Sequence, residues 1–538
     1  MIYLLDYGAG NVRSIVNAIT HLGYEFSWIT CPEDFSKADR IVFPGVGSFG
    51  AAITELDRLG YTEPLRKHIL ENKPFMGICV GMQCLFNSSE ESPLAVGLGI
   101  IDAPIKQFNN STKSVPHIGW NSALEMKPLG LINHAADSRY YFVHSYAAIT
   151  DPESFASKGS QDWVYSLSRY HDEVFISSIQ RGNVFATQFH PEKSGNAGLK
   201  VIEAFLACTS LPSVIKSLSY QIPADNLSHR IIACLDVRSN DDGDIVVTKG
   251  DQYDVREKAD GAKVRNLGKP VELATLYYKE GADEITFLNI TSFRDSPLKD
   301  APMLEILRET SKNVFVPLTI GGGIRDTIEP DGRLIPALEV AGEYFRSGAD
   351  KISIGSEAVY AAQAYLAGKT SLNPISEISR VYGKQAVVIS VDPKRVYVNK
   401  MEDANGHHTF TTSRIGPNGE TLCWYQCTVK GGRELCDLDV RQLVEACEAL
   451  GAGEILLNCM DQDGTNSGYD LELIADVKAA VKIPVIASSG AGSAAHFREL
   501  FQNTSADAGL AAGIFHRREV SISEVKKLLS ESKIEVRH

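Results

Sequence analysis

Three patterns predict the fold class, an α/β chain in which an open mixed sheet is followed by an eight-stranded (β/α)8 barrel. Short apolar strands alternate with amphipathic helices from Tyr3 onward, as mostly parallel sheets require. Eight further apolar runs follow between residues 229 and 538, a length usual for such a barrel. Those runs carry an internal repeat that keeps the same order in two halves. The expected boundaries are a first domain over 1–207, a tether over 208–228 and the barrel over 229–538. The tether holds Pro212, Pro223 and several serines with little periodicity. A chain of 538 residues is too long for one core in any case.

Composition bounds the function. Hydrophobic content of 44% and charged content of 22% are those of a globular protein. A net charge of −14 argues against nucleic acid or an anionic membrane as a general partner, while leaving room for a local pocket that binds a small anion. The 10 cysteines are scattered without a repeated spacing, which fits a reducing compartment better than a disulfide framework. No apolar run is long enough to span a bilayer, and the chain opens directly on a strand-like Met1–Leu5, so a cytoplasmic location is expected.

In the first domain, Tyr3–Leu5 reads as a buried strand. Val12, Ile15, Val16, Ile19 and Leu22 share one face of a helix over Asn11–Leu22, which Gly23 stops. Strands follow at Glu25–Ile29 and Arg40–Phe43, then helices at Phe49–Arg58 and Thr62–Glu71. In such a sheet functional groups gather at the strands' carboxyl ends. Phe75–Ile78 is the next strand. Cys79 follows it, and a helix is expected from near Gly81. Gly77-Ile78-Cys79-Val80-Gly81 thus has the form of a nucleophile elbow, with cysteine in place of serine. Glycines relieve the crowding of the sharp turn, and a helix N-terminus facing the sulfur favours the reactive thiolate.

Gly45-Val46-Gly47-Ser48-Phe49-Gly50 matches G-x-G-x-x-G after a strand, but a dinucleotide site is rejected. The unit is internal, and Glu63 is the nearest acid for a ribose. The Pro44-Gly45-Val46-Gly47 loop is better used beside the elbow. A backbone N–H from Val46 or Gly47 can there join that of Val80 in stabilising an oxyanion. A thiolate also needs a base. The strand Val184–His190 ends in His190-Pro191-Glu192, so His190 can move the proton and Glu192 can orient it.

Cys79 in its elbow, the Pro-Gly-Val-Gly loop and His190-Pro-Glu-Lys193 together resemble the class I glutamine amidotransferases over the whole first domain. The resemblance implies hydrolysis of the glutamine side-chain amide through a thioester, with Gln83, Ser145 and Tyr146 holding the glutamine. Val115-Pro-His-Ile-Gly-Trp-Asn121 and Tyr140-Tyr-Phe-Val-His-Ser-Tyr146 resemble the glutaminase of imidazole glycerol phosphate synthases. His117 and His144, which these segments contain, are assigned no catalytic role.

The eight barrel strands are expected at Ile231–Asp236, Ile285–Ile290, Val314–Ile320, Lys351–Gly355, Ala386–Asp392, Glu454–Asp461, Pro484–Ser489 and Ala508–Phe515. In the repeat, Ile231–Asp236 parallels Val387–Asp392, Gly281–Asn289 parallels Gly451–Asn458, and Val316–Gly323 parallels Ile483–Gly490. Ser347–Asp350 likewise parallels Thr504–Asp507, which points to a duplicated half-barrel. Asp236 and Asp392 then end strands one and five, on opposite sides of the mouth, as a general acid and base would. Gly322 and Gly323 after strand three face Gly490 after strand seven, and Gly355 and Ser356 after strand four face Ala512 and Gly513 after strand eight. Backbone N–H groups at such turns bind phosphate, so a substrate with a phosphate at each end is expected. The loop Arg238–Asp244 fails a calcium-ligand pattern, because Arg238 falls at the first position.

These motifs, with Ala233–Arg238, Thr319–Ile324 and Asp461-Gln-Asp-Gly464-Thr465, resemble the cyclase of imidazole glycerol phosphate synthases along nearly the whole second domain. The resemblance puts the two catalytic carboxylates on Asp236 and Asp392, and adds Asp461, Gly464 and Lys249 to the mouth. It departs at Asn289, where stand-alone relatives often have Asp, at Ser489, which interrupts a Gly-Gly pair, and in extra residues near 327–343 and 394–437. The second insertion, with Trp424 and Tyr425, is expected to fold over the mouth. Arg230, Glu284, Lys351 and Glu454 begin strands one, two, four and six, and can form an ion-paired ring at the barrel's bottom. The resemblance implies that this ring gates ammonia, with the first domain docked on that end.

The expected activity is therefore bifunctional. Ammonia from glutamine is added to a diphosphorylated aminoimidazole carboxamide ribonucleotide, giving imidazole glycerol phosphate and the aminoimidazole carboxamide ribotide, with no metal or redox cofactor implied. The rivals are an amidotransferase acting on another phosphorylated acceptor, a barrel isomerase with a regulatory glutaminase, and a non-enzymatic scaffold.

Overall fold

In the computed structural model, residues 1–8, 10–45, 47–125, 138–150, 163–208, 224–240, 244–248, 266–290, 302–329, 331–369 and 372–538 are described. Val46, Lys249 and most of the expected tether lie outside them. The chain divides into two compact units. The first holds Met1–Ser228 with Ser311–Val316 and Val381–Gly383, and the second holds His229–Thr310, Pro317–Arg380 and Lys384–His538.

The first unit is built on strands β1 (Ile2–Leu5), β2 (Phe26–Ile29), β3 (Arg40–Phe43), β4 (Phe75–Ile78), β5 (Phe86–Ser89), β6 (Ile101–Gln107), β7 (His117–Asn121), β8 (Leu124–Glu125), β9 (Tyr140–His144), β10 (Tyr146–Ala147), β11 (Val164–Tyr170), β12 (Glu173–Arg181) and β13 (Val184–Thr187). Its main sheet runs β2-β1-β3-β4-β13-β12-β11-β8. The pairings from β2 to β13 are parallel and those from β13 to β8 antiparallel, so the sheet is mixed. Central β4 is buried along its whole length, as a strand covered on both faces must be. Helix Arg13–His21 buries Ile15, Ala18 and Ile19 on one face. Helix Phe49–Leu59 is capped by the Ser48 side chain and stopped by left-handed Gly60.

Two elements differ from the sequence expectation. The helix expected after Cys79 is one turn, Val80–Gln83, because β5 begins at Phe86. The last central strand stops at Thr187 rather than running to His190, since Pro191 lacks the N–H for a ladder and opens a 3-10 turn.

The second unit begins with β14 (Arg230–Ser239) and β15 (Ile245–Thr248), followed by β16 (Glu284–Asn289), β17 (Leu318–Gly321), the hairpin β18 (Thr327–Ile328) and β19 (Leu334–Ile335), β20 (Lys351–Ile354) and β21 (Val387–Val391). The extra residues after β21 form β22 (Pro393–Val398), β23 (Phe410–Thr411), β24 (Leu422–Val429) and β25 (Glu434–Asp439), and then come β26 (Glu454–Asn458), β27 (Val485–Ser488) and β28 (Ala508–Ala511). Eight strands pair in the order β14-β16-β17-β20-β21-β26-β27-β28, and β14 pairs with β28 to close the barrel. Every one of those pairings is parallel. Ile232, Cys234, Val388, Leu456, Ile486, Ala508, Leu510 and Ala512 fill its interior. The third strand starts at Leu318 instead of Val314, because Pro317 precedes it. The sixth and eighth stop at Asn458 and Ala511, where a 3-10 turn and a short helix take over.

Candidate active sites

The elbow around Cys79 is strained and tightly packed. Cys79 has φ 51° and ψ −106°, a conformation rare for a residue with a side chain. A Cβ on Gly81 would lie 2.3 Å from the Phe43 carbonyl oxygen, and one on Gly45 would lie 2.4 Å from the Val80 nitrogen. Only glycine lets the Pro44–Gly47 loop and the elbow approach this closely. Gly45 therefore packs directly against the Val80 nitrogen, and Gly47 is left-handed at φ 119°. The one-turn helix offers little dipole at the sulfur.

Register supplies the side chains around it. β4 and β13 are parallel neighbours with Ile78 opposite Thr187, so Cys79 and Gln188 emerge side by side. Cys79 N–H donates to the Thr187 carbonyl at 2.7 Å. Gln188 Nε2 donates to Cys79 Sγ at 3.5 Å. His190, two residues on, lies close enough to the sulfur for the two to interact electrostatically. Its Nδ1 lies 2.8 Å from Glu192 Oε1. Burial opposes a charged His190, but the Glu192 carboxylate and the Cys79 sulfur hold its pKa well above the ordinary value. The backbone is clamped as well. His190 N–H donates to the Tyr141 carbonyl at 2.9 Å, and Ser194 Oγ donates to the His190 carbonyl at 2.6 Å while accepting from Tyr141 N–H.

Gln83 is buried beside this group. Its Nε2 donates to the Tyr146 carbonyl at 2.9 Å and to Gln188 Oε1 at 3.1 Å. Ser145 is buried one residue before Tyr146, and its carbonyl accepts from Phe108 N–H at 3.1 Å. Gln188, Ser194 and Tyr141 were not singled out from sequence. An amide within a strand carries no chemical signature, and only the β4–β13 register puts Gln188 at the sulfur.

At the barrel mouth, Asp236 lies on β14 and Asp392 follows β21, four strands round an eight-stranded ring and hence on opposite sides. Asn458 Nδ2 donates to Asp392 Oδ1 at 3.0 Å. Cys234 Sγ lies 3.8 Å from Asp236 Oδ1. The turns after strands three and seven match as the repeat requires. Gly322 and Gly323 have φ 93° and 81°, and Ser489 and Gly490 have φ 73° and 94°. Ser489 thus keeps a left-handed backbone although it is not glycine. Gly355 and Ala512 are equivalent N-caps, and the helices that follow them begin at Ser356 and Gly513.

The inserted strands β22 to β25 form one antiparallel sheet tied to this mouth. Arg395 N–H donates to Asp461 Oδ2 at 2.7 Å, Thr428 Oγ1 to the Asp392 carbonyl at 2.7 Å, and Lys430 N–H to Ser356 Oγ at 2.9 Å. Gly464 lies exposed two residues past the Met460–Gln462 turn. At the opposite end, Arg230, Glu284, Lys351 and Glu454 are wholly buried and form a closed ring. Arg230 pairs with Glu284 at 3.0 Å and with Glu454, and Lys351 pairs with Glu284 at 2.8 Å and with Glu454 at 2.5 Å.

Comparison with known proteins agrees with this geometry. A family described as class-I glutamine amidotransferase matches residues 3–207, and one described as histidine biosynthesis protein matches residues 230–521. The chain is 58% identical to the imidazole glycerol phosphate synthase hisHF of Emericella nidulans, over 98% of this chain and 97% of that one. It is 54% identical to the protein of that name from Schizosaccharomyces pombe over the full length of both. The chloroplastic imidazole glycerol phosphate synthase hisHF of Arabidopsis thaliana is also 54% identical, over all of this chain and 89% of its own. The closed parallel barrel, the amidotransferase sheet and relatives that span both halves lead to one conclusion: this enzyme belongs to the imidazole glycerol phosphate synthase family.

Proposed function

We propose that residues 1–207 hydrolyse glutamine and that the barrel over 229–538 adds the ammonia to a diphosphorylated aminoimidazole carboxamide ribonucleotide. The Cys79 thiolate attacks the side-chain amide carbon. Val80 N–H and the Val46–Gly47 loop steady the oxyanion, and His190 passes a proton to the departing ammonia. Water, deprotonated by His190, then releases glutamate from the thioester. Glu192 keeps the imidazolium oriented, and Ser145, Tyr146 and Gln83 border the glutamine.

In the barrel, ammonia adds to the acceptor's open-chain carbonyl with loss of water. Asp236 and Asp392 move protons as the imine forms, the chain is cleaved and the imidazole closes. The products are imidazole glycerol phosphate and the aminoimidazole carboxamide ribotide. The two matched pairs of turns, at Gly322–Gly323 with Gly355–Ser356 and at Ser489–Gly490 with Ala512–Gly513, hold one phosphate each. Asp461 and Gly464 belong to the same mouth, and the resemblance assigns Lys249 a substrate-binding role with them. The ring of Arg230, Glu284, Lys351 and Glu454 serves as the gate by which ammonia enters the barrel, and the enzyme works in the cytoplasm.

The observation that carries this reading is a Cys79–His190–Glu192 constellation in the same chain as a closed barrel with two opposed aspartates. Product formation by Cys79→Ala tests it. The variant fed glutamine makes none, and fed an ammonium salt at high pH it regains turnover. Turnover with glutamine would remove Cys79 from the scheme. Failure with ammonium in a folded protein would point to another acceptor.

A further inference from the structure

We propose that Gln188 is a catalytic hydrogen-bond donor to the Cys79 sulfur, and that Gln83, itself held by the Tyr146 carbonyl, fixes which end of the Gln188 amide the sulfur meets. The proposal rests on the reading of Cys79 as the nucleophile.

The argument is one of polarity. An amide side chain can be turned end for end, so the donor facing the sulfur has to be established by its partners. A backbone group establishes it here, because the Tyr146 carbonyl can only accept. Gln83 Nε2 is thus a donor to it, and the same NH2 group reaches Gln188 Oε1. The oxygen of Gln188 is spoken for, and its NH2 faces Cys79.

Gln83 acts through Gln188 and is a positioning residue.

The sulfur needs the donor. Cys79 is buried, and an apolar setting by itself disfavours a thiolate. The titratable groups facing Cys79 are His190, with Glu192 behind it, and Cys84. His190 must leave the sulfur to protonate the leaving ammonia. Gln188 cannot give up its proton, so it remains a fixed donor before and after the thioester.

The test uses the full chain and follows alkylation of Cys79 by iodoacetamide against pH, read at the Cys79 peptide by mass spectrometry. Gln188→Leu is expected to raise the pH midpoint by about one unit and to lower kcat with glutamine about tenfold, the size of one hydrogen bond to a charged group. KM for glutamine and turnover with ammonium stay near wild type. Gln188→Glu, nearly isosteric, raises the midpoint further by placing oxygen against sulfur. Gln83→Leu added to Gln188→Leu moves the midpoint no further, because both act on one contact. A wild-type midpoint and kcat in folded Gln188→Leu or Gln188→Glu would overturn the proposal while leaving Cys79 as nucleophile. Glutamine turnover by Cys79→Ala would instead overturn the reading beneath it.

Discussion

Gly198 bears on the proposed glutaminase chemistry through the backbone alone. It lies on the helix Gly195–Ala207, and a Cβ there would sit 1.8 Å from the Pro191 carbonyl oxygen. Pro191 joins His190 to Glu192, so Gly198→Ala must displace the pair that orients the imidazole. Overpacking of this kind costs about 1–3 kcal/mol. The expected outcome is a lower melting temperature and a loss of glutamine-driven turnover of at least tenfold, with ammonium-driven turnover kept; an assay with both nitrogen sources checks it. His144 gives a second prediction. Its folded pKa of about 3 lies below its unfolded value, so the unfolded chain binds more protons through the window between them. Stability is then full above about pH 6.5 and erodes as the pH falls toward 3. His144→Gln should lose less melting temperature than wild type between pH 7 and pH 5, although it is less stable at pH 7. At this scale the sequence pointed to Cys79, His190 and Glu192, which the structure brings together, because thiol, imidazole and carboxylate are the residue types such chemistry uses. It did not show Gln188, because only pairing of distant strands makes an ordinary amide a neighbour of the sulfur.

Among elements, the order and type of the strands could be read from apolar runs, and their ends could not. Pro191 and Pro317 move two ends by removing N–H groups that a ladder needs. The expected helix after Cys79 shrank to one turn because the next strand begins at Phe86. The insertion over 394–437 was legible as extra chain, and its sheet was not, since its strands pair only with one another. That sheet depends on Arg395, which is buried with Asp470 at 2.5 Å and also donates to Tyr425. Arg395→Met leaves the Asp470 carboxylate buried without its cation, at a cost of about 3–5 kcal/mol. Because the sheet is tied to Asp392 and Asp461, ammonium-driven turnover is expected to fall severalfold. Denaturant unfolding and the ammonium assay together check this; unchanged turnover would show that the mouth does not rely on the sheet.

Across the whole molecule, the two catalytic halves were visible in sequence because each carries chemistry at strand ends in a fixed order. The ion ring was visible only as four charged residues starting strands, and the structure closes it into alternating pairs with two charges of each sign. Such a ring is balanced, and removing one member leaves a buried charge uncompensated. Glu454→Gln is expected to cost about 3–5 kcal/mol. Combined with Lys351→Met it should cost less than the two changes summed, since the pair leaves together. Urea unfolding of the two single variants and the double variant measures this coupling, and additive effects would show that the four charges do not act as a unit.

The pairing of β4 with β13 and of β14 with β28 has a consequence for synthesis. The contact between Cys79 and Gln188 spans 109 residues, so no nascent chain can bring the two together until the ribosome has passed Gln188. The barrel waits longer still, because Arg230 finds its partner only when Ala508 arrives. Translation therefore makes the β4–β13 pairing possible well before the barrel can close.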